Sequence, residues 1–140
     1  MEVFELGEIA KILGMPITTV KNWTIGRPFT IEPSIKTASG HGSRNLFSLE
    51  DVYLMGLANE LSKAGMAAKA IGKLVEAVKA KFPNGPGGVD AMFVSRAPKL
   101  TYRIETREDR LPAEVVVRIV IDVQGLLTRI DREVAKLRRA

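Results

Sequence analysis

The sequence predicts a mainly helical α+β fold, and three observations carry that expectation. Apolar residues recur at helical spacing through much of residues 4–82, prolines and glycines cluster at Pro83–Gly88, and alternating or β-branched segments follow. The order reads as a helical domain over residues 1–82, a Pro/Gly linker over 83–90, and a β-hairpin plus C-terminal helix over 91–140.

The first two helices are expected between Phe4 and Trp23. Leu6, Ile9, Ala10 and Leu13 share one helical face, so this segment can bury a stripe. Gly14 supplies a turn, and Pro16 can open the next helix at its first position, where a missing N–H does no harm. In the second helix Ile17 and Val20 are expected inward, leaving Thr18, Thr19, Lys21 and Asn22 outward. Two short helices around a glycine match the helix-turn-helix, whose second helix fits the DNA major groove. An ordinary helical pair in a small core is the alternative.

After Trp23 and Gly26-Arg27-Pro28, a polar segment runs from Thr30 to Ser48 with Ser39-Gly40-His41-Gly42-Ser43 at its middle. Extended pieces over Ile31–Ile35 and Arg44–Phe47 would close a glycine-tipped hairpin, the wing of a winged helix. Ser48 can then cap a helix, with Asp51 completing a capping box, and Leu54, Leu57, Ala58 and Leu61 give it a buried stripe. Gly65 breaks that helix, and Met66–Phe82 forms another through Ala67, Ile71, Leu74, Val75 and Val78.

This order resembles the DNA-binding half of the MerR family of bacterial transcriptional regulators, over residues of about 4–80. The matching segments are LGEIAKILGMPITTVKNW, SRNLFSLEDVYL and LSKAGMAAKAIGKLV, with Arg44, Phe47, Glu50, Asp51 and Gly65 meeting the family pattern. Lys21-Asn22-Trp23 departs from the usual basic residue followed by two aromatics. That variant occurs in excisionase-like relatives, so a recombination or phage architectural role stands as an alternative. The resemblance implies a cytoplasmic regulator that binds double-stranded DNA as a homodimer on a pseudo-palindrome, with RNA polymerase a further partner. It also implies activation by bending and untwisting a promoter.

Composition is consistent with this reading. A chain of 140 residues suits a small domain with an appendage. It has no cysteine and one histidine, His41, which excludes a disulfide framework, thiolate metal sensing and a multi-histidine site; no cofactor or metal is expected. No apolar run reaches the roughly 18 residues of a membrane span. The net charge is +5. Residues 9–48 hold Lys11, Lys21, Arg27, Lys36 and Arg44 against Glu32, a local excess suited to phosphates. A similar excess over residues 91–140 reads more simply as a solvated face around a dimer.

Roles can be assigned within such an interface. Lys21 and Arg44 are expected on phosphates, with Arg27, Lys36, His41 and Ser43 as secondary contacts. Thr18, Thr19 and Asn22 can meet base edges, and an asparagine suits bidentate contact with adenine. Trp23 belongs to the interface or is a ring packed between the second helix and the wing. His41 is equally read as a solvated turn residue.

Beyond the linker, Ala91–Arg96 and Leu100–Thr106 read as strands, the second alternating Leu100, Tyr102 and Ile104 with Thr101, Arg103 and Glu105. Glu114–Asp122 is dense in β-branched residues, and a helix follows through Leu126, Leu127, Ile130, Val134 and Leu137. One long helix from Pro112 with a heptad seam is the rival. In either case the stripe Leu127, Ile130, Val134 and Leu137 is expected to bury against a second copy. An enzyme is not expected, because the chain offers no cysteine nucleophile, no phosphate loop and no paired carboxylate motif. A protein-interaction adaptor built on the same fold remains the third class.

Overall fold

The computed structural model describes residues 2–36, 44–97, 101–107, 110 and 118–139. They form five α-helices and a three-stranded antiparallel sheet, an α+β arrangement. Helix α1 spans Leu6–Leu13, with the Glu5 N–H donating to Glu8 Oε1 at 3.1 Å at its start. Gly14, at φ 62°, ends it in the left-handed conformation that a side chain would strain. Helix α2 spans Ile17–Thr24; Pro16 stands just before it as N-cap, its carbonyl accepting from Thr19 and Val20.

Helix α3, Leu49–Lys63, begins at the expected capping box: Ser48 Oγ accepts from the Asp51 N–H at 3.2 Å, and Asp51 Oδ2 from the Ser48 N–H at 2.9 Å. The spacing predicts one buried stripe, but every residue from Asp51 to Ala58 is buried. A helix apolar on all sides belongs inside a core, and neighbours cover it here on more than one flank. Helix α4, Ala68–Lys81, packs along it after Gly65 turns the chain. Helix α5, Val123–Arg139, packs on both α1 and α3.

Strand β1, Ala91–Ala97, is central, flanked by β2, Thr101–Glu105, and β3, Arg118–Asp122. Val94 stands opposite both Ile104 and Ile119, and Met92 opposite Ile121, so these residues share the inner face. Strand then helix is therefore the arrangement of the C-terminal segment, rather than one long helix. Residues 114–117 of the expected third strand lie outside the described residues. The switch at Val123 has a local cause, since Asp122 Oδ1 accepts from the Gly125 N–H at 2.9 Å at the start of α5.

Two expectations are corrected. Pro83–Gly88 ends α4 but does not separate the chain into independent units: Pro86 is buried, and Gly85 sits so close to α3 that an added Cβ would lie 2.6 Å from Glu50 Cγ. One hydrophobic cluster joins Phe4, Ile9 and Val52 to Met92, Val94 and Leu127 across it. The second correction concerns the stripe assigned to a dimer. Leu127, Ile130 and Val134 are buried within the chain, and Leu137 packs partly against the same core. Ile130 Cδ1 reaches the α3 backbone at Gly56, where any Cβ would lie 2.6 Å away. Around this contact Tyr53 donates to Asp131 Oδ1 at 2.6 Å, and Arg129 and Arg138 pair with Glu60 and Glu8, each at 2.8 Å. The stripe required a partner, and α1 and α3 of its own chain provide it.

Candidate nucleic-acid interface

Helix α2 is held by its inner side. Val20, Trp23 and Thr24 are buried, and Thr24 Oγ1 returns a hydrogen bond to the Val20 carbonyl at 3.0 Å. The Trp23 ring, 7% exposed, packs on Phe29 with centroids 4.9 Å apart. Phe29 in turn lies against Gly72 of α4, where an added Cβ would stand 2.9 Å from Phe29 Cβ. Trp23 thus joins α2, the following loop and α4, and its place among interface residues is corrected to the packing role. Such burial removes its ring from any groove and makes it the anchor that fixes the helix.

The opposite side of α2 is open. Thr18 and Lys21 are exposed and Thr19 and Asn22 half-buried. Ile17, expected inward, is 53% exposed, as is Ile25 at the other end. The reason is the turn at Gly14: it presents Val20, Trp23 and Thr24 to the core, which leaves Ile17, one turn earlier, beside the small Gly7 rather than beneath a large side chain.

The loop after α2 is held at its base. Gly26, at φ 84°, closes the helix end with the Arg27 N–H on the Asn22 carbonyl at 2.9 Å. Among the described residues the expected paired strands are represented by a bridge between Lys36 and Leu46, with a second between Phe4 and Phe47. The donors that a longer ladder needs are used elsewhere, the Ile31 N–H on the Trp23 carbonyl and the Ser34 N–H on Asp51 Oδ2. Asp51, 3% exposed, also accepts from Ser34 Oγ at 2.7 Å, so one carboxylate ties the loop to the start of α3. The expected tip residues His41 and Ser43 lie outside the described residues.

The cations fall into two sets. Lys21, Arg27 and Lys36 are exposed and make no ion pair among the described residues. Arg44 pairs with Glu5 at 2.9 Å while both stay well exposed, a contact worth little and easily exchanged. Sequence spacing missed Lys69 and Lys73, which line a cleft with Gly26, Pro28, Thr30 and Glu76, the last 3.8 Å from Lys73 Nζ. Only the fold brings α4 to that loop. The assembled surface offers hydroxyls, an amide and the cations Lys21, Arg27 and Lys36, which have no ion pair among the described residues. Among the described residues no His, Cys, Asp or Glu cluster could hold a metal, and no helix is long and apolar enough to cross a membrane. No family model matches the chain, and no curated protein is significantly similar to it.

Proposed function

We propose that the chain is a sequence-specific double-stranded DNA-binding regulator of MerR-like type that acts as a dimer on a pseudo-palindromic operator. Helix α2 enters the major groove, and the loop closed by the Lys36–Leu46 bridge serves as the wing of a winged helix-turn-helix. One observation carries the reading: α2 is locked from behind by Val20 and Trp23 while its outer side offers Thr18, Thr19, Lys21 and Asn22. Rigid presentation matters because base contacts demand fixed geometry, whereas phosphate contacts need only charge. Lys21, Arg27, Lys36 and Arg44 supply that charge, and the exposed Ile17 and Ile25 would meet thymine methyl groups.

The exposure of Ile17 and Ile25 also favours a second reading, a protein-binding adaptor that uses the same face for an apolar partner. Titration of random duplex at several salt concentrations separates the two. A regulator loses affinity steeply as salt rises, through the release of counterions from each neutralised phosphate. A salt-indifferent or absent interaction leaves the adaptor. Selection of bound sites from random duplexes then tests specificity, and a palindromic consensus is the expected outcome.

A further inference from the structure

The three-stranded sheet has two outer strands of opposite character. β2 lies against α4 and carries Arg103 and Glu105, which pair with each other at 3.3 Å, while Lys81 of α4 reaches Glu105 at 3.9 Å. β3 forms the other edge of the sheet among the described residues, and its sequence is Arg118-Ile119-Val120-Ile121-Asp122. It contains no proline and no lysine, and Val120 at its centre is 62% exposed, the most exposed large apolar residue among those described. Among the described residues no strand pairs with this edge, and an edge so left presents N–H and C=O groups to a second strand.

The sequence of β3 is complementary to itself when reversed. An antiparallel pair of two β3 strands centred on Val120 sets Val120 opposite Val120, Ile119 opposite Ile121, and Arg118 opposite Asp122. Apolar residues then meet apolar ones across the axis, the pairing that stabilises opposed positions in a sheet. We propose that a second copy of this chain docks here, edge to edge, and joins the two sheets into one of strand order β2-β1-β3-β3-β1-β2 about a two-fold axis at Val120. The interface is isologous, as a closed dimer requires.

A shallow groove beside the strand extends the contact. Leu57 and Leu61 of α3, Ala64 just after it and Leu126 of α5 line it next to Ile119 and Ile121, together with the paired Glu60 and Arg129, with a volume of about 510 Å³. This mostly apolar shelf adds area to a five-residue strand pair, which alone would be small for a stable dimer. The surface replaces the α5 stripe as the place where a second copy binds. The inference stands on the sheet and not on recognition of DNA.

The test is made on the full chain without DNA. Sedimentation at micromolar concentration should give a dimer for the parent and a monomer for Val120→Lys, which sets two like charges face to face on the axis. Thermal unfolding of the variant reports whether it still folds. Because the chain has no cysteine, Val120→Cys introduces a single thiol. Opposed residues of an antiparallel pair lie about 4.5–5.5 Å apart at Cα, within the range a disulfide spans. A mild oxidant such as diamide should therefore link Val120→Cys into covalent dimers much faster than Arg132→Cys, on the exposed side of α5. A monomeric parent, a dimer indifferent to a folded Val120→Lys, or equal linking of the two cysteine variants would each overturn the proposal. If Val120→Lys fails to fold, the cysteine comparison decides.

Discussion

Helices α2 and α5 each bury an apolar stripe, Val20 and Trp23 in the first and Val123, Leu127, Ile130 and Val134 in the second, yet their polar sides are used differently. On α5 two of the cations are committed to other elements of the chain. Arg129 holds Glu60, and Arg138 holds Glu8, donates to the Val3 carbonyl at 3.0 Å and lies 4.8 Å above the Phe4 ring. On α2 Lys21 has no such partner among the described residues, and neither do Arg27 and Lys36 on the loop that follows. Two basic, amphipathic helices of one chain thus divide the work: α5 closes the core, and α2 is held by the core to face outward.

The largest effect should come from removing α5 together with the sheet. Truncation after Phe82 uncovers the apolar surfaces of α1 and α3, and the remaining chain should show no cooperative thermal transition. A fragment that unfolds cooperatively would restore the division into separate units. Next, Ile130→Ala should lower the unfolding free energy by about 2–5 kcal/mol in urea titration, because the contact at Gly56 leaves a cavity. A change under about 1 kcal/mol would mean that α5 does not close the core as described.

On the α2 side, Asn22→Ala should relax preference among duplex sequences by roughly 1–3 kcal/mol with little loss of stability, as measured by competition binding. Lys21→Ala should weaken binding to all duplexes and reduce the salt slope by about one unit. Arg138→Ala is the matching control, expected to leave the slope unchanged and to lower the melting temperature. Equal slopes for the Lys21 and Arg138 variants would erase the contrast between the helices.

The smallest effect concerns pH. Burial, reinforced by the hydrogen bond to Asp131, holds the Tyr53 hydroxyl well above its ordinary value of 10.0. Its folded state therefore favours the protonated phenol, so the stabilisation is complete below pH 10 and is lost as pH rises beyond it. Tyr53→Phe should flatten the decline of stability between neutral pH and about pH 11, followed by urea unfolding. An unchanged decline would remove the Tyr53–Asp131 link from the α3–α5 contact.

Much of the fold was legible in the sequence where the cause is local. Gly14 and Gly65 mark turns that need positive φ, and Ser48 with Asp51 forms the capping box their spacing announces. The alternation around Ile104 and the β-branched residues Ile119, Val120 and Ile121 both fall in strands. In the candidate site, Thr18, Lys21, Arg27 and Lys36 are exposed as their helical and loop positions suggest. These features depend on residues a few positions apart, so a one-dimensional pattern contains their physics.

What covers each apolar stripe is a different matter, and only the tertiary structure decided it. The stripe on α5 shows that Leu127 and Ile130 must leave water, and the same pattern serves a second copy or a helix of the same chain equally well. The choice fell to α1 and α3 because Gly56 lets Ile130 approach the α3 backbone, a contact between residues far apart in sequence. Trp23 was drawn inward by Phe29 and the small Gly72 beneath it, and Ile17 was left outside because the turn at Gly14 aims Val20 and Trp23 at the core. Periodicity reports that a face is apolar; packing between distant segments determines which surface it meets.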